Sequence, residues 1–125
     1  MTRHDDGVRL RHMLDHAAEA TSLARGKTRR DLGEDRMLEL SLVRLLEVVG
    51  EAAARVSDET REQFSGIPWK SIVGLRNRLI HGYDAVDLDV LWDIVQRDLP
   101  PLIRQLRQGL DGRLGPLPDW RGRLR

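Results

Sequence analysis

The sequence predicts an all-α domain, an antiparallel bundle of four to five helices. Three observations predict it. Apolar residues recur at three- and four-residue steps through three long segments. Residue types that start and stop helices bracket those segments. Strand patterning is weak throughout, and no internal repeat is present. The chain has 125 residues, enough for one domain with a real core, and 40% are hydrophobic and 33% charged, as in a well-solvated globule.

The first helix is expected from about Asp6 to Gly26. Leu10, Met13, Leu14, Ala17, Thr21 and Ala24 share one face, and Gly26 with Lys27 forms a stop. The other side carries His12, His16 and Glu19, and the two His, four apart, have a metal-ligand spacing. No motif closes that site, and a solvated polar face is the better reading. A polar connection, Thr28–Asp31, leads to the longest helix, expected from about Glu34 to Ser57. Leu38, Leu42, Leu45, Val49, Ala52 and Val56 form its main stripe, widened by Leu46 and Ala53. Leu40, Val43, Glu47, Gly50 and Ala54 form a second stripe on nearly the opposite side. A helix apolar on two sides needs two neighbours, the second being a helix of the same chain or a second subunit. Glu47 and Glu51 stand on or beside this stripe, where a cation would be welcome.

Ser57-Asp58-Glu59 starts a short helix to Phe64. Ser65–Pro68 breaks it. Pro68 and Trp69 open another, expected to end at Ile80 or His81, with Gly82 as its left-handed terminal residue. A loop follows from Asp84 to Asp87, and Asp87 caps the last helix. Leu88, Leu91, Val95, Leu99, Leu102 and Leu106 share that helix's inner face. Pro100-Pro101 interrupts it and should kink or split it. The helical domain is therefore expected over residues 1–110, with an Arg-, Gly- and Pro-rich tail over 111–125.

Several function classes recede on composition. Cysteine is absent, which excludes a disulfide framework and a thiolate metal site and fits a reducing cytoplasm. No apolar run approaches the ~20 residues of a membrane span. The opening residues lack the apolar run of a secretory leader. A net charge of +1 does not announce a nucleic-acid binder. The cations are nearly all Arg, with Lys only at 27 and 70, and Arg is the better fork for phosphate.

The stretch Arg76-Asn77-Arg78-Leu79-Ile80-His81-Gly82-Tyr83 concentrates the chemistry. Arg can hold a phosphate, and His can move a proton near neutral pH. Projected on one continuous helix, Arg76 lies within an apolar arc of Ile72, Val73, Leu75, Leu79 and Ile80 and so is directed toward the interior or an interface, whereas Arg78 faces solvent. A guanidinium on that arc requires an anion: Glu47, Glu51 or a substrate phosphate. Asn77 and His81 share an edge, but Arg76 and His81 are about 140° apart. Either the helix unwinds at its end, or the site is a groove shared by two helices.

This stretch resembles the Arg, four residues, His, one residue, Tyr motif of HEPN-domain toxins of the HepT type. Val49-Gly50-Glu51-Ala52-Ala53, the approach Ile67 to Asn77, and the closing segments Val86 to Trp92 and Leu99-Pro100 are also similar to that family, so the resemblance covers roughly Leu38 to Leu106. It implies an all-α bundle that forms a homodimer with two motifs lining one cleft. It implies the toxin of a type VII-like toxin–antitoxin pair, a metal-independent endoribonuclease acting on RNA in the cytoplasm. His81 would be the acid–base, Arg76 the phosphate ligand, and Asn77 an orienting group. Tyr83 would be the residue that a cognate minimal nucleotidyltransferase antitoxin modifies with AMP. No cofactor, metal or membrane is implied. The alternative is a non-catalytic helical module that binds and regulates a nucleotidyltransferase.

Overall fold

In the computed structural model, residues 3–83 and 85–114 are described. The expected all-α fold is met. Helix α1 (Arg3–Ala24) buries Leu10, Met13, Leu14, Ala17 and Ala24, the face read from periodicity. Gly26, at φ 76°, turns the chain beyond it. The expected polar connection is instead a short helix, α2 (Arg29–Glu34). Thr28 and Asp31 form a reciprocal capping box: the Thr28 hydroxyl accepts from Asp31 N–H at 3.1 Å, and Asp31 accepts from Thr28 N–H at 2.8 Å. Leu32 is buried and anchors this helix.

Helix α3 (Arg36–Ala54), capped by Asp35, is the centre of the bundle. Its main stripe is buried, with Leu42, Leu46, Val49 and Ala53 fully so. Each such Leu contributes roughly 1.5–3 kcal/mol by burial. The stripe packs most extensively against α1, where small residues at 17, 18, 20 and 24 let the helices approach. The second stripe divides. Its later part meets α5 (Trp69–Val73) and α6 (Leu75–Leu79), while Leu40 stays exposed. Gly50 is the point of closest approach, since a Cβ there would lie 3.1 Å from the Ile72 carbonyl oxygen.

Helix α4 (Asp58–Gln63) starts on the Ser57 cap. Its start is tied to α1 by Asp6, only 3% exposed. Asp6 accepts from Ser57 N–H at 3.1 Å, Ser57 Oγ at 2.5 Å and Thr60 Oγ1 at 2.6 Å. Burial alone would raise the Asp6 pKa; the bonds from Ser57 and Thr60 outweigh it and hold the carboxyl below its ordinary value.

The helix expected from Pro68 to His81 is two helices. It breaks at Gly74 between α5 and α6, and α6 ends at Leu79. The chain then forms a small ribbon that helical and strand patterning both miss. Strand β1 (Ile80–His81) pairs antiparallel with β2 (Ala85–Val86), in register Ile80↔Val86 and His81↔Ala85. Gly82 is left-handed as expected, at φ 71°, but it serves a hairpin rather than a helix end. Asp84, in the expected loop, lies outside the described residues.

Helix α7 (Leu88–Asp93) starts on the Asp87 cap. The expected split at Pro100-Pro101 falls just before them. A π-helical turn, Ile94–Asp98, separates α7 from α8 (Leu99–Leu114), and Leu99 N–H bonds back to Ile94 C=O. The prolines then occupy the first turn of α8, where their missing N–H groups matter least. Residues 115–125 of the expected tail lie outside the described residues.

Candidate active site

Arg76 and His81 sit on consecutive elements, α6 and β1, the first of which packs against α3. Arg76 is on α6, and its Nε donates to Glu47 Oε2 on α3 at 3.2 Å. Of the two carboxylates expected as its partner, Glu47 is the one it meets. Glu51 is not; its nearest cation is Arg44 at 3.6 Å. Of the two directions expected for Arg76, the chain's interior or an interface, the first is corrected: its side chain is 67% exposed rather than turned into the core. Arg78, expected in solvent, is the more enclosed of the two. It donates to Ser71 Oγ at 3.1 Å and Asp98 Oδ2 at 3.2 Å. The reason is the break at Gly74 and the end at Leu79, which invalidate a projection on one long helix. Asn77 is exposed on α6.

His81 leaves the helix entirely. Its side chain is 65% exposed, and Nε2 lies 3.6 Å from Asp87 Oδ2. Asp87 also accepts from Val90 N–H at 3.0 Å. That bond holds its carboxyl below the ordinary range; desolvation opposes it, and the His81 ring adds to it. Tyr83, two residues on in the ribbon turn, is 97% exposed. Among the described residues no hydrogen bond or ion pair joins Arg76, Asn77 and His81.

Metal chemistry finds no ready donor set. Among the described residues no group of three or more His, Asp or Glu is gathered to hold an ion. His16 Nδ1 instead meets the His12 carbonyl at 2.7 Å, a bond within α1. Among the described residues no helix is long and apolar enough to cross a membrane.

The sequence profile of the ribonuclease HepT-like family matches residues 13–108, more than two thirds of the chain. The chain belongs to the ribonuclease HepT-like family. An inferred RNase of Methanocaldococcus jannaschii is 32% identical over 85% of this chain and 97% of its own length. An inferred RNase of Caldanaerobacter subterraneus is 33% identical over 79% and 88%. An inferred ribonuclease HepT of Thermococcus cleftensis is 34% identical over 71% and 84%. No solved structure matches the chain. Membership in the HepT-like family meets two expectations from sequence: the family itself and the ribonuclease class of enzyme. The HepT-like segment holds Glu47, Arg76, Asn77, His81, Tyr83 and Asp87 alike.

Sequence reasoning gave Asp87 only a capping role and missed its contact with His81. The one hint was Gly82-Tyr83 between Ile80 and Val86, a short turn between apolar residues. The Arg78–Asp98 pair was also missed, because it depends on the π-helical turn.

Proposed function

We propose that the chain is the toxin of a type VII-like toxin–antitoxin pair, a metal-independent endoribonuclease that its nucleotidyltransferase partner silences by adding AMP to Tyr83. One observation carries the catalytic part. Arg76 and His81 are both exposed, on adjoining elements, within the segment that defines the family. His81 accepts the proton of a ribose 2′-OH as that oxygen attacks the adjacent phosphorus. The bond to the 5′-oxygen breaks, and that oxygen takes a proton from an imidazolium, leaving a 2′,3′-cyclic phosphate and a 5′-hydroxyl. Such acid–base help is worth about 10²–10⁴-fold.

Arg76 neutralises charge that develops on the phosphate oxygens. Only its Nε is engaged by Glu47, so the terminal nitrogens remain for a phosphate while Glu47 fixes the side chain. Asn77, exposed one residue on, orients the phosphate or His81. One His81 is suited to one proton transfer at a time, so a second copy supplies the other. Dimerisation is supported by large apolar residues left in water on the helices that carry Glu47 and lead to Arg76. Met37 is 78% exposed, Leu40 lies two turns before Glu47 on α3, and Val73 one turn before Arg76. AMP on Tyr83 would place negative charge two residues from His81 and repel RNA.

The test is RNA cleavage by the purified chain in chelator, with His81→Ala and Arg76→Ala beside it. Each substitution should lower the rate at least about 100-fold; unchanged cleavage would remove the assigned site. The regulatory-module reading is favoured by the carboxylate partner that Arg76 already has. Growth arrest on expression without the partner, lost in His81→Ala, decides for the enzyme.

A further inference from the structure

The ribbon that carries His81 also returns a carboxylate to it. His81 pairs with Ala85, so Asp87, two residues on, lies diagonally across on the same face, within side-chain reach. Its backbone is fixed, since Asp87 N–H donates to the Leu79 carbonyl at 2.8 Å. Its Oδ1 is fixed by Val90 N–H at 3.0 Å. That leaves Oδ2, the oxygen found 3.6 Å from His81 Nε2. Among the described residues, other charged groups on the helices that flank the ribbon have partners of their own. Arg76 and Arg78 are paired with Glu47 and Asp98, Asp89 with Arg29, and Asp93 with Arg97.

We propose that Asp87 is a positioning residue for catalysis: its Oδ2 keeps His81 Nε2–H turned toward it, so Nδ1 is the nitrogen that exchanges protons with RNA. This deepens the ribonuclease reading and rests on it for the proton transfer, but not for the tie itself. Which ring nitrogen carries the proton is set by the bond the other makes. At 3.6 Å the contact is an ion-pair distance rather than a hydrogen bond. Catalytic contacts of this kind tighten when substrate fills the site, and exclusion of water by RNA strengthens the attraction.

A cap alone would explain Asp87 without His81, and substitution separates the two roles. Asn caps a helix as well as Asp does, so Asp87→Asn retains the bond from Val90. It replaces the carboxylate facing the ring with an amide, whose NH₂ donates to Nε2 and shifts the ring proton toward Nδ1.

The experiment uses the full chain and three readouts. Thermal melting of Asp87→Asn should match wild type within about 2 °C, given equal caps. Nitrogen NMR of the neutral His81 ring should show Nε2–H in wild type and a shift toward Nδ1–H in Asp87→Asn. RNA cleavage should lose about 10- to 100-fold in kcat with KM within twofold, less than the about 10⁴ of a buried triad carboxylate, because this pair is exposed. If His81→Ala abolishes cleavage while Asp87→Asn changes neither ring proton nor kcat, the inference is overturned. If the ring proton moves but wild type cleaves no RNA, the tie stands and the ribonuclease reading falls.

Discussion

Replacing Asp6 with Ala should cost the chain about 2–4 kcal/mol. The side chain is 3% exposed and accepts three hydrogen bonds from Ser57 and Thr60. Bonds to a charged acceptor contribute about 1.5–3 kcal/mol each. They share one carboxylate and so are not additive. Ala would also leave the hydroxyl of Thr60, itself buried, without its acceptor. For a domain of this size 1 kcal/mol moves Tm by about 4 °C, so Asp6→Ala should melt about 8–16 °C lower near pH 7. The folded carboxyl titrates below its ordinary value of 3.8. Its contribution is therefore fully present above pH 3.8 and is lost as pH falls through the folded value. Circular dichroism melts of both chains from neutral pH into acid test this. The gap should be constant at neutral pH and close below 3.8. A gap under about 3 °C at pH 7, or one that persists unchanged into acid, would refute the reasoning.

Two glycines near the site give further expectations. Gly82 is at φ 71°, where a Cβ costs about 1–2 kcal/mol. Gly82→Ala should lower Tm and slow RNA cleavage by displacing His81, whereas Gly82→Asn should be milder; melting and initial rates compare them. At Gly50 a Cβ would meet the Ile72 oxygen at 3.1 Å. Gly50→Ala should change stability by less than about 1 kcal/mol, because better helix propensity opposes the crowding. Gly50→Val should destabilise by about 1–3 kcal/mol in urea unfolding, since its extra methyls cannot be absorbed.

Much of the helical framework is legible in the chain itself. The stripe from Leu38 to Val56 needs no tertiary information, because a 3.6-residue period and a buried face are the same fact seen twice. The caps Ser57 and Asp87 are equally local. The site is less legible. The projection that set Arg76 on an apolar arc assumed one helix from Pro68 to His81. The chain breaks at Gly74 and again after Leu79, and each break resets the angular phase of every later residue. Strands of two residues are too short to alternate, so β1 and β2 leave no periodic trace. The nearness of Asp87 to His81 depends on that ribbon and is invisible for the same reason. The Thr28–Asp31 box was readable by its spacing, but its helix has only six residues and one buried side chain to reveal it.

The π-helical turn between α7 and α8 works as a phase correction. At 100° per residue, Leu99, Leu102, Ile103, Leu106 and Leu110 would centre about 80° round the axis from Leu91, Ile94 and Val95. Yet all of these side chains are buried in the same core. The wider turn at Ile94–Asp98 absorbs one residue and takes up most of that drift. It also leaves Asp98 on the outer side, where Arg78 meets it. The consequence is a lopsided tolerance to changes of length. Gln96 and Arg97 are exposed. Losing one of them would close the wide turn into an ordinary α-helical one and leave everything from Leu99 onward in step with α7. Adding a residue at the same place would find the slack already spent and swing α8 by about 100°. The core face of α8 and the Arg78 tie would then go together, through a change of count rather than of chemistry.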